Sequence, residues 1–141
     1  MGLFVYFVPY KDIKNVSFDE LITTSDIISF HCKVTPDGKP LINKEHYKKM
    51  KPNTVIINTA RGNIVDENDL NNALNNNLIA GAAIDVYSKE PAKKNILFNN
   101  PKVILTPHIA ASTTEASIVV AEMIANQICK FLLKGVKINT V

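Results

Sequence analysis

Three short apolar segments, each followed closely by a charged residue, constrain the fold of this chain more than any other feature. They cover residues 54–58, 80–84 and 103–106, and helix-forming stretches lie between them. Strands that alternate with helices join through right-handed crossovers and form a parallel sheet. The carboxyl ends of such strands meet along one side of the sheet, called here the carboxyl edge, where open α/β sheets bind ligands. The sequence therefore predicts an α/β fold with a ligand site at the carboxyl edge.

Two further segments are predicted strands. Leu3 to Val8 is an unbroken apolar run that Pro9 closes, which indicates a strand buried on both faces. The segment from Ile27 to Cys32 is the next strand along the chain. Together with the three segments above, these strands predict one parallel sheet.

Residues with capping side chains predict where the helices begin. They are Ser17, Asn43, Asp66 and Ser112. Ser17 and Ser112 are each followed three residues later by a glutamate, as in a capping box. The predicted helices run to about residues 24, 50, 76 and 133, and Gly135 ends the last one. We interpret the asparagines on the polar side of the third helix as a solvated face.

Length and composition limit the classes of protein to consider. The chain has 141 residues, enough for one domain, and no apolar run reaches the roughly 18 residues of a membrane span. The net charge of +3 comes from scattered lysines without a basic stripe, so no nucleic-acid partner is predicted. Cys32 and Cys129 are far apart, which predicts buried thiols and no metal site. We expect a cytoplasmic protein without a membrane partner.

Five polar residues are predicted to converge at the carboxyl edge. They are His31, Arg61, Asp85, Glu90 and His108. Each has a simple alternative, since a histidine after a strand is often a structural hydrogen-bonding group and an arginine there is often part of a surface ion pair. Their convergence on strands that are otherwise apolar favours a ligand site.

Four segments of the sequence resemble the signature segments of the NAD-dependent D-isomer-specific 2-hydroxyacid dehydrogenases. They are Asn58-Thr-Ala-Arg-Gly-Asn-Ile-Val-Asp-Glu, Ala80-Gly-Ala-Ala-Ile-Asp-Val, Lys89-Glu-Pro and Leu105-Thr-Pro-His-Ile-Ala-Ala-Ser-Thr. The phosphoglycerate dehydrogenase branch, which acts in serine biosynthesis, is the most similar. The resemblance implies a Rossmann-like three-layer fold, a parallel sheet with helices on both faces. It also implies NAD as the cofactor and a small 2-hydroxy acid as the substrate.

The resemblance also implies roles for individual residues. Arg61 matches the arginine that holds the substrate carboxylate, and a planar guanidinium suits that task. His108 matches the general acid/base, and Glu90 matches the carboxylate that fixes its tautomer. Asp85 matches a residue at the nicotinamide side of the cofactor. Further residues that match cofactor contacts of the family are His31, Cys32, Lys33, Thr59, Ala60, Arg61, His108, Ala110 and Ala111.

The sequence also departs from the family pattern. No Gly-x-Gly-x-x-Gly loop precedes Leu3, and no acidic residue directly follows Val8 to hold the adenine ribose. We therefore interpret residues 1–141 as a truncated NAD-binding domain that lacks the first βα unit and the substrate domain. The segment from Leu3 to Val8 is then expected to fill the vacant place in the sheet, or to pair with a second copy in a homo-oligomer.

Two functions from different classes follow. The first is oxidation of a D-2-hydroxy acid to a 2-keto acid by hydride transfer, with the isolated chain inactive. The second is a non-catalytic oligomerisation or binding module, since the last helix has an apolar face of Ile118, Ala121, Ile124, Ala125 and Ile128. A folded remnant without a role of its own is a third reading.

Overall fold

The computed structural model describes residues 15–138, and the chain divides into two compact units, Met1–His108 and Ile109–Val141. The first unit contains a sheet of four parallel strands in the order β1-β2-β3-β4. The strands are β1 (Ile27–Phe30), β2 (Val55–Asn58), β3 (Gly81–Ile84) and β4 (Val103–Leu105). The predicted parallel sheet is thereby confirmed. The first of these strands ends earlier than predicted, so His31 and Cys32 lie in the loop that follows it.

The described residues form four α-helices, of which the second and the third connect strands of the sheet. They are α1 (Phe18–Thr24), α2 (Lys44–Tyr47), α3 (Glu67–Asn75) and α4 (Thr114–Lys134). Two short 3-10 helices, Gly62–Ile64 and Ile96–Asn99, have no counterpart in the prediction. The helix α2 is shorter than predicted because the backbone of residues 48–50 continues as turns.

Three of the four predicted caps are confirmed. The side chains of Ser17, Asn43 and Asp66 each accept a hydrogen bond from a backbone N–H in the first turn of their helix. The fourth cap is wrong by one residue, because Thr113 accepts from the N–H of Ala116 at 3.0 Å and Ser112 lies outside the helix. Gly135 ends α4 with φ of 65°, a left-handed conformation that suits glycine at this position.

One core joins the sheet to the helices of the first unit. Alternate strand residues, including Ile28, Ile56 and Ile84, are buried on the same side of the sheet. They pack in one cluster with Ile22 of α1 and Leu70 of α3, both fully buried. Burial of each large aliphatic side chain contributes about 1.5–3 kcal/mol, so this cluster fixes which face of each strand points inward.

The asparagines of α3 are only partly a solvated face. Asn100, which is 8% exposed and precedes β4, donates from Nδ2 to Oδ1 of Asn71 at 2.8 Å and of Asn75 at 3.2 Å. Its own Oδ1 accepts from the backbone N–H of Lys102 at 3.0 Å. Asn100 therefore ties α3 to the entry of β4, and the interpretation of these asparagines as merely solvated is wrong for Asn71 and Asn75.

Other predictions have mixed outcomes. The predicted strand from Leu3 to Val8 lies outside the described residues, so its pairing stays a prediction. Cys32 is partly buried and Cys129 is exposed within its own unit, so neither is the fully buried thiol that was predicted. The helix α4 buries none of its side chains within its own unit. Its length and composition alone would allow it to cross a membrane, as those of many core helices of soluble proteins do.

Replacing Asn100 by alanine is expected to lower the free energy of unfolding by about 1–3 kcal/mol. The backbone N–H of Lys102 and the side-chain amides of Asn71 and Asn75 would each lose a hydrogen-bond partner. Urea unfolding followed by circular dichroism measures the change. Asn72→Ala, on the exposed side of the same helix, is the matched control and should stay within about 0.5 kcal/mol of the unmodified chain. Equal stability of the two variants would contradict this role for Asn100.

Candidate active site

A buried amide shapes the turn that presents Arg61. Asn58, the last residue of β2, is 1% exposed. Its Nδ2 donates to the carbonyl oxygen of Arg61 at 2.9 Å, and its Oδ1 accepts from the N–H of Ala60 at 3.2 Å. Both bonds go to backbone groups of a sharp turn, and the carbonyl oxygen of Arg61 also accepts from the N–H of Ile64 at 3.2 Å. Asn58 therefore closes the turn, with Thr59 exposed on it, and directs Arg61 away from the sheet.

The side chain of Arg61 is exposed, and its guanidinium is bonded to a backbone carbonyl oxygen. Its Nη1 donates to the carbonyl oxygen of Ala60 at 2.6 Å, and the residue lies at the surface. A guanidinium has five N–H donors in a planar fork, so most of them remain available for a ligand. Two parallel donors of this kind match the two oxygens of a carboxylate.

A buried carboxylate joins the ends of β3 and β4. Asp85 follows β3 directly and is 2% exposed. Its Oδ1 accepts a hydrogen bond from the hydroxyl of Thr106, which follows β4. Because a buried carboxylate needs such donors, this bond fixes the two loops beside each other.

The side chains of Glu90 and His108 form a hydrogen-bonded pair. Nδ1 of His108 lies 2.6 Å from Oε2 of Glu90, and Oε1 of Glu90 accepts from the backbone N–H of Tyr87 at 2.9 Å. The Tyr87 N–H, and then the bond to His108, hold the pKa of the Glu90 carboxyl below its ordinary value. An ionised carboxylate only accepts hydrogen bonds, so Nδ1 carries the proton in this pair. Nε2 of His108 is then the nitrogen that can exchange a proton with a ligand.

The backbone of His108 is strained. Its φ is 56°, in the left-handed region that side chains other than glycine rarely adopt. Residues held in this way cost on the order of 1–3 kcal/mol and cluster at active sites. The hydroxyl of Tyr87, which donates to the carbonyl oxygen of Thr106 at 3.0 Å, helps to hold this segment.

Two cavities meet at this pair. The first, of about 250 Å³, is lined by Val34, Arg61, Gly62, Asn63, Val86, Tyr87, Ser88, Glu90 and His108. The second, of about 440 Å³, is more apolar and is lined by Tyr87, Glu90, Pro91, Ala92, Phe98, Pro107 and His108. The structure thus brings Arg61, Glu90 and His108 to the wall of one cavity. A carboxylate held by Arg61 in that cavity would share it with the imidazole of His108.

The first cavity has the mixed lining that a nicotinamide ring needs. Val34 and Val86 supply apolar wall, while Arg61 and Asn63 supply polar groups. These residues fit the nicotinamide end of NAD. Within residues 15–138 no group of three or more histidine, cysteine or acidic side chains is arranged to hold a metal ion.

The remaining predicted residues lie in different places. Nε2 of His31 is 2.9 Å from the hydroxyl of Ser29, and burial raises the pKa of the neighbouring Cys32 thiol. Lys33 is exposed, and the loop of these residues reaches the first cavity through Val34. Ala110 and Ala111 belong to the second unit.

Sequence reasoning missed several residues that line or shape the site. They are Val34, Asn58, Gly62, Asn63, Glu67, Val86, Tyr87 and Ser88. Gly62 is required by close packing, since a Cβ there would lie 2.0 Å from the carbonyl carbon of Tyr87. The position of Tyr87 between the predicted residues Asp85 and Glu90 was the only local signal for its involvement.

Comparisons with known proteins show the family to which the matched domain belongs. The sequence profile of the D-isomer specific 2-hydroxyacid dehydrogenase NAD-binding domain matches residues 8–110. D-3-phosphoglycerate dehydrogenase of Bacillus subtilis is 42% identical over 119 residues, which are 84% of this chain and 23% of that enzyme.

Solved structures match as well. A glyoxylate reductase from Paecilomyes thermophila has a TM-score of 0.78 and 36% identity over 87% of this chain and 38% of its own. The NAD-complexed D-isomer specific 2-hydroxyacid dehydrogenase from Lactobacillus delbrueckii ssp. bulgaricus has a TM-score of 0.73 and 29% identity over 88% of this chain and 41% of its own.

These matches confirm the Rossmann-like fold and NAD as the cofactor of the matched domain. The chain spans less than half the length of each of these relatives. It belongs to the family of D-isomer-specific 2-hydroxyacid dehydrogenases, whose NAD-binding domain it matches.

Proposed function

We propose that this chain supplies the hydride-transfer site of an enzyme that oxidises a D-2-hydroxy acid to a 2-keto acid with NAD. The observation that carries the proposal is the 2.6 Å contact between Nδ1 of His108 and Oε2 of Glu90, on a cavity that Arg61 also lines. A general acid/base, its orienting carboxylate and a carboxylate-binding cation are the groups that this reaction needs.

Each of the three residues has one task in the proposed mechanism. Bound NAD supplies the acceptor for the hydride that leaves C2 of the substrate. Arg61 binds the substrate carboxylate through two N–H groups and so orients C2. Nε2 of His108 takes the proton of the C2 hydroxyl as the C=O bond forms. Glu90 keeps the other proton on Nδ1 and stabilises the resulting imidazolium.

We further propose 3-phosphoglycerate as the substrate, because the Bacillus relative is a D-3-phosphoglycerate dehydrogenase at 42% identity. This assignment would place the chain in serine biosynthesis in the cytoplasm, as part of a homo-oligomer. Glyoxylate is the competing substrate, since a solved neighbour is a glyoxylate reductase. A binding-module function without catalysis is the alternative, and it predicts that the pair of His108 and Glu90 has no effect on any reaction.

The hydrogen bonds of Glu90 to the Tyr87 N–H and to His108 should make stability depend on pH. The pKa of Glu90 is lower in the folded chain than its ordinary value of 4.5, so the folded state binds fewer protons at this group. The resulting stabilisation is present above the ordinary pKa and is lost as the pH falls through the folded pKa.

Urea unfolding of the unmodified chain and Glu90→Gln between about pH 3 and pH 5.5 measures this dependence. The variant should be less stable at the upper end, and the difference should shrink as the pH falls. Glu122→Gln, which removes an exposed carboxylate from α4, is the control variant. A difference for Glu90→Gln that does not change with pH would contradict a stabilising role for the hydrogen bonds of Glu90.

The chain alone is expected to show no turnover with NAD and 3-phosphoglycerate, followed by nicotinamide absorbance. A chimera that carries residues 8–110 in place of the matching segment of the Bacillus enzyme should be active. His108→Asn in the chimera, which keeps a side chain suited to positive φ, should lower kcat by about 10²–10⁴-fold. Asn72→Ala is the control. An active chimera that His108→Asn leaves unchanged would refute the catalytic role.

The nicotinamide end of the cofactor is expected to bind in the first cavity. Nicotinamide mononucleotide should shift the methyl signals of Val34 and Val86 in an NMR titration, because both line the first cavity. Adenosine diphosphate at the same concentration should leave these signals in place. Stronger shifts with adenosine diphosphate would show that the cavity does not hold the nicotinamide.

A further inference from the structure

The segment that carries Arg61 contacts the loop that carries Glu90 at two points. Gly62 packs directly against the backbone of Tyr87, where no side chain larger than hydrogen fits. Glu67, the first residue of α3, accepts from the N–H of Ser88 at 2.8 Å and from its hydroxyl at 2.9 Å. Both carboxylate oxygens of Glu67 are therefore engaged by one residue of the opposite loop.

These contacts continue to the proposed acid/base. Ser88 follows Tyr87, and holding its N–H fixes the orientation of the peptide group that joins the two residues. The N–H of Tyr87 donates to Oε1 of Glu90, which leaves Oε2 for His108. The hydroxyl of Tyr87 donates to the carbonyl oxygen of Thr106, two residues before His108. Hydrogen bonds joined by the backbone of Tyr87 and Ser88 thus connect Glu67 to His108.

We propose that Glu67 is a positioning residue that, by holding Ser88, directs Glu90 toward His108 and sets the distance from this pair to Arg61. The catalytic consequence rests on the proposed function, whereas the effect on the orientation of Glu90 does not. Glu67 is in the lining of neither cavity and bonds to Ser88, so it acts through the loop.

A role of Glu67 in the stability of α3 alone does not explain these contacts. An acidic residue in the first turn is favourable for any helix. The N-terminus of α3 is, however, already capped by Asp66, whose Oδ1 accepts from the N–H of Asp69 at 2.9 Å. The carboxylate of Glu67 is instead bonded to Ser88, which lies in the loop after β3 and is 21 residues further along the chain.

The experiment compares Glu67→Ala, Glu67→Gln and Asn68→Ala in the full chain. Asn68 is the matched control because it is exposed in the same helical turn. Carbon-13 NMR follows the titration of the Glu90 carboxyl, and nitrogen-15 NMR reports the tautomer of His108. The pKa of Glu90 is low mainly because of the Tyr87 N–H, so a displaced loop should raise it toward the ordinary value.

Glu67→Ala should therefore raise the pKa of Glu90 and reduce the fraction of His108 with the proton on Nδ1. Glu67→Gln, which keeps one acceptor, should partly restore both, and Asn68→Ala should change neither. In the chimera, kcat of Glu67→Ala should fall about tenfold with a smaller change in KM, as expected for a misplaced group.

The proposal would be overturned if Glu67→Ala folds and leaves both the pKa of Glu90 and the tautomer of His108 the same as in the unmodified chain. If Glu67→Ala does not fold, Glu67→Asp decides, since it keeps the charge but shortens the side chain and so removes its two oxygens from the N–H and the hydroxyl of Ser88. The same NMR result in Glu67→Asp as in the unmodified chain would then overturn it. An inactive chimera would count against the proposed function, while the NMR result would still test the role of Glu67.

Discussion

The register of the parallel sheet is the constraint on which the candidate site depends. Asn58 pairs with Ile84, and Ile84 pairs with Leu105, so β2, β3 and β4 end at the same level. The loops that carry Arg61, Glu90 and His108 consequently begin side by side. A slip of one residue would turn the buried side chains to the opposite face and lose the core. The apolar core therefore fixes the geometry of the polar site, and Tyr87 belongs to both.

Hydrogen bonds between the loops then offset the unfavourable features of the site. The left-handed backbone of His108 and the buried carboxylate of Asp85 both cost free energy. Thr106 provides two compensating contacts, because its hydroxyl donates to Asp85 and its carbonyl oxygen accepts from Tyr87. The same contacts that allow these features also restrict the orientation of the imidazole. Stability and the placement of the acid/base are thus coupled through the residues next to β4.

The parts of the structure that the sequence predicts depend on neighbours in the chain. The strands can be predicted from short apolar segments. The capping side chains of Ser17, Asn43 and Asp66 accept hydrogen bonds from backbone N–H groups that are two or three residues away. Even this local signal is ambiguous where two capping residues are adjacent, as the choice of Ser112 over Thr113 shows.

The missed contacts join residues that are far apart in the chain. Glu67 bonds to Ser88, Asn71 to Asn100 and Tyr87 to Thr106, over separations of 21, 29 and 19 residues. Nothing in the local pattern distinguishes these side chains from solvated ones. Their roles require the register of the sheet, which no single segment of sequence specifies.

The central pair of His108 and Glu90 is partly exposed to solvent, which weakens the interaction between its two side chains. The side chain of His108 is 49% exposed and that of Glu90 is 35% exposed, so water screens the attraction between them. The same hydrogen bond in a site closed from water would experience a lower dielectric constant and a stronger interaction. An element that covered Arg61 and His108 would therefore strengthen the binding of a ligand carboxylate by Arg61. It would also strengthen the stabilisation of a His108 imidazolium by Glu90. The orientation of the His108 side chain is set within residues 58–108, and exclusion of water would strengthen its interaction with Glu90.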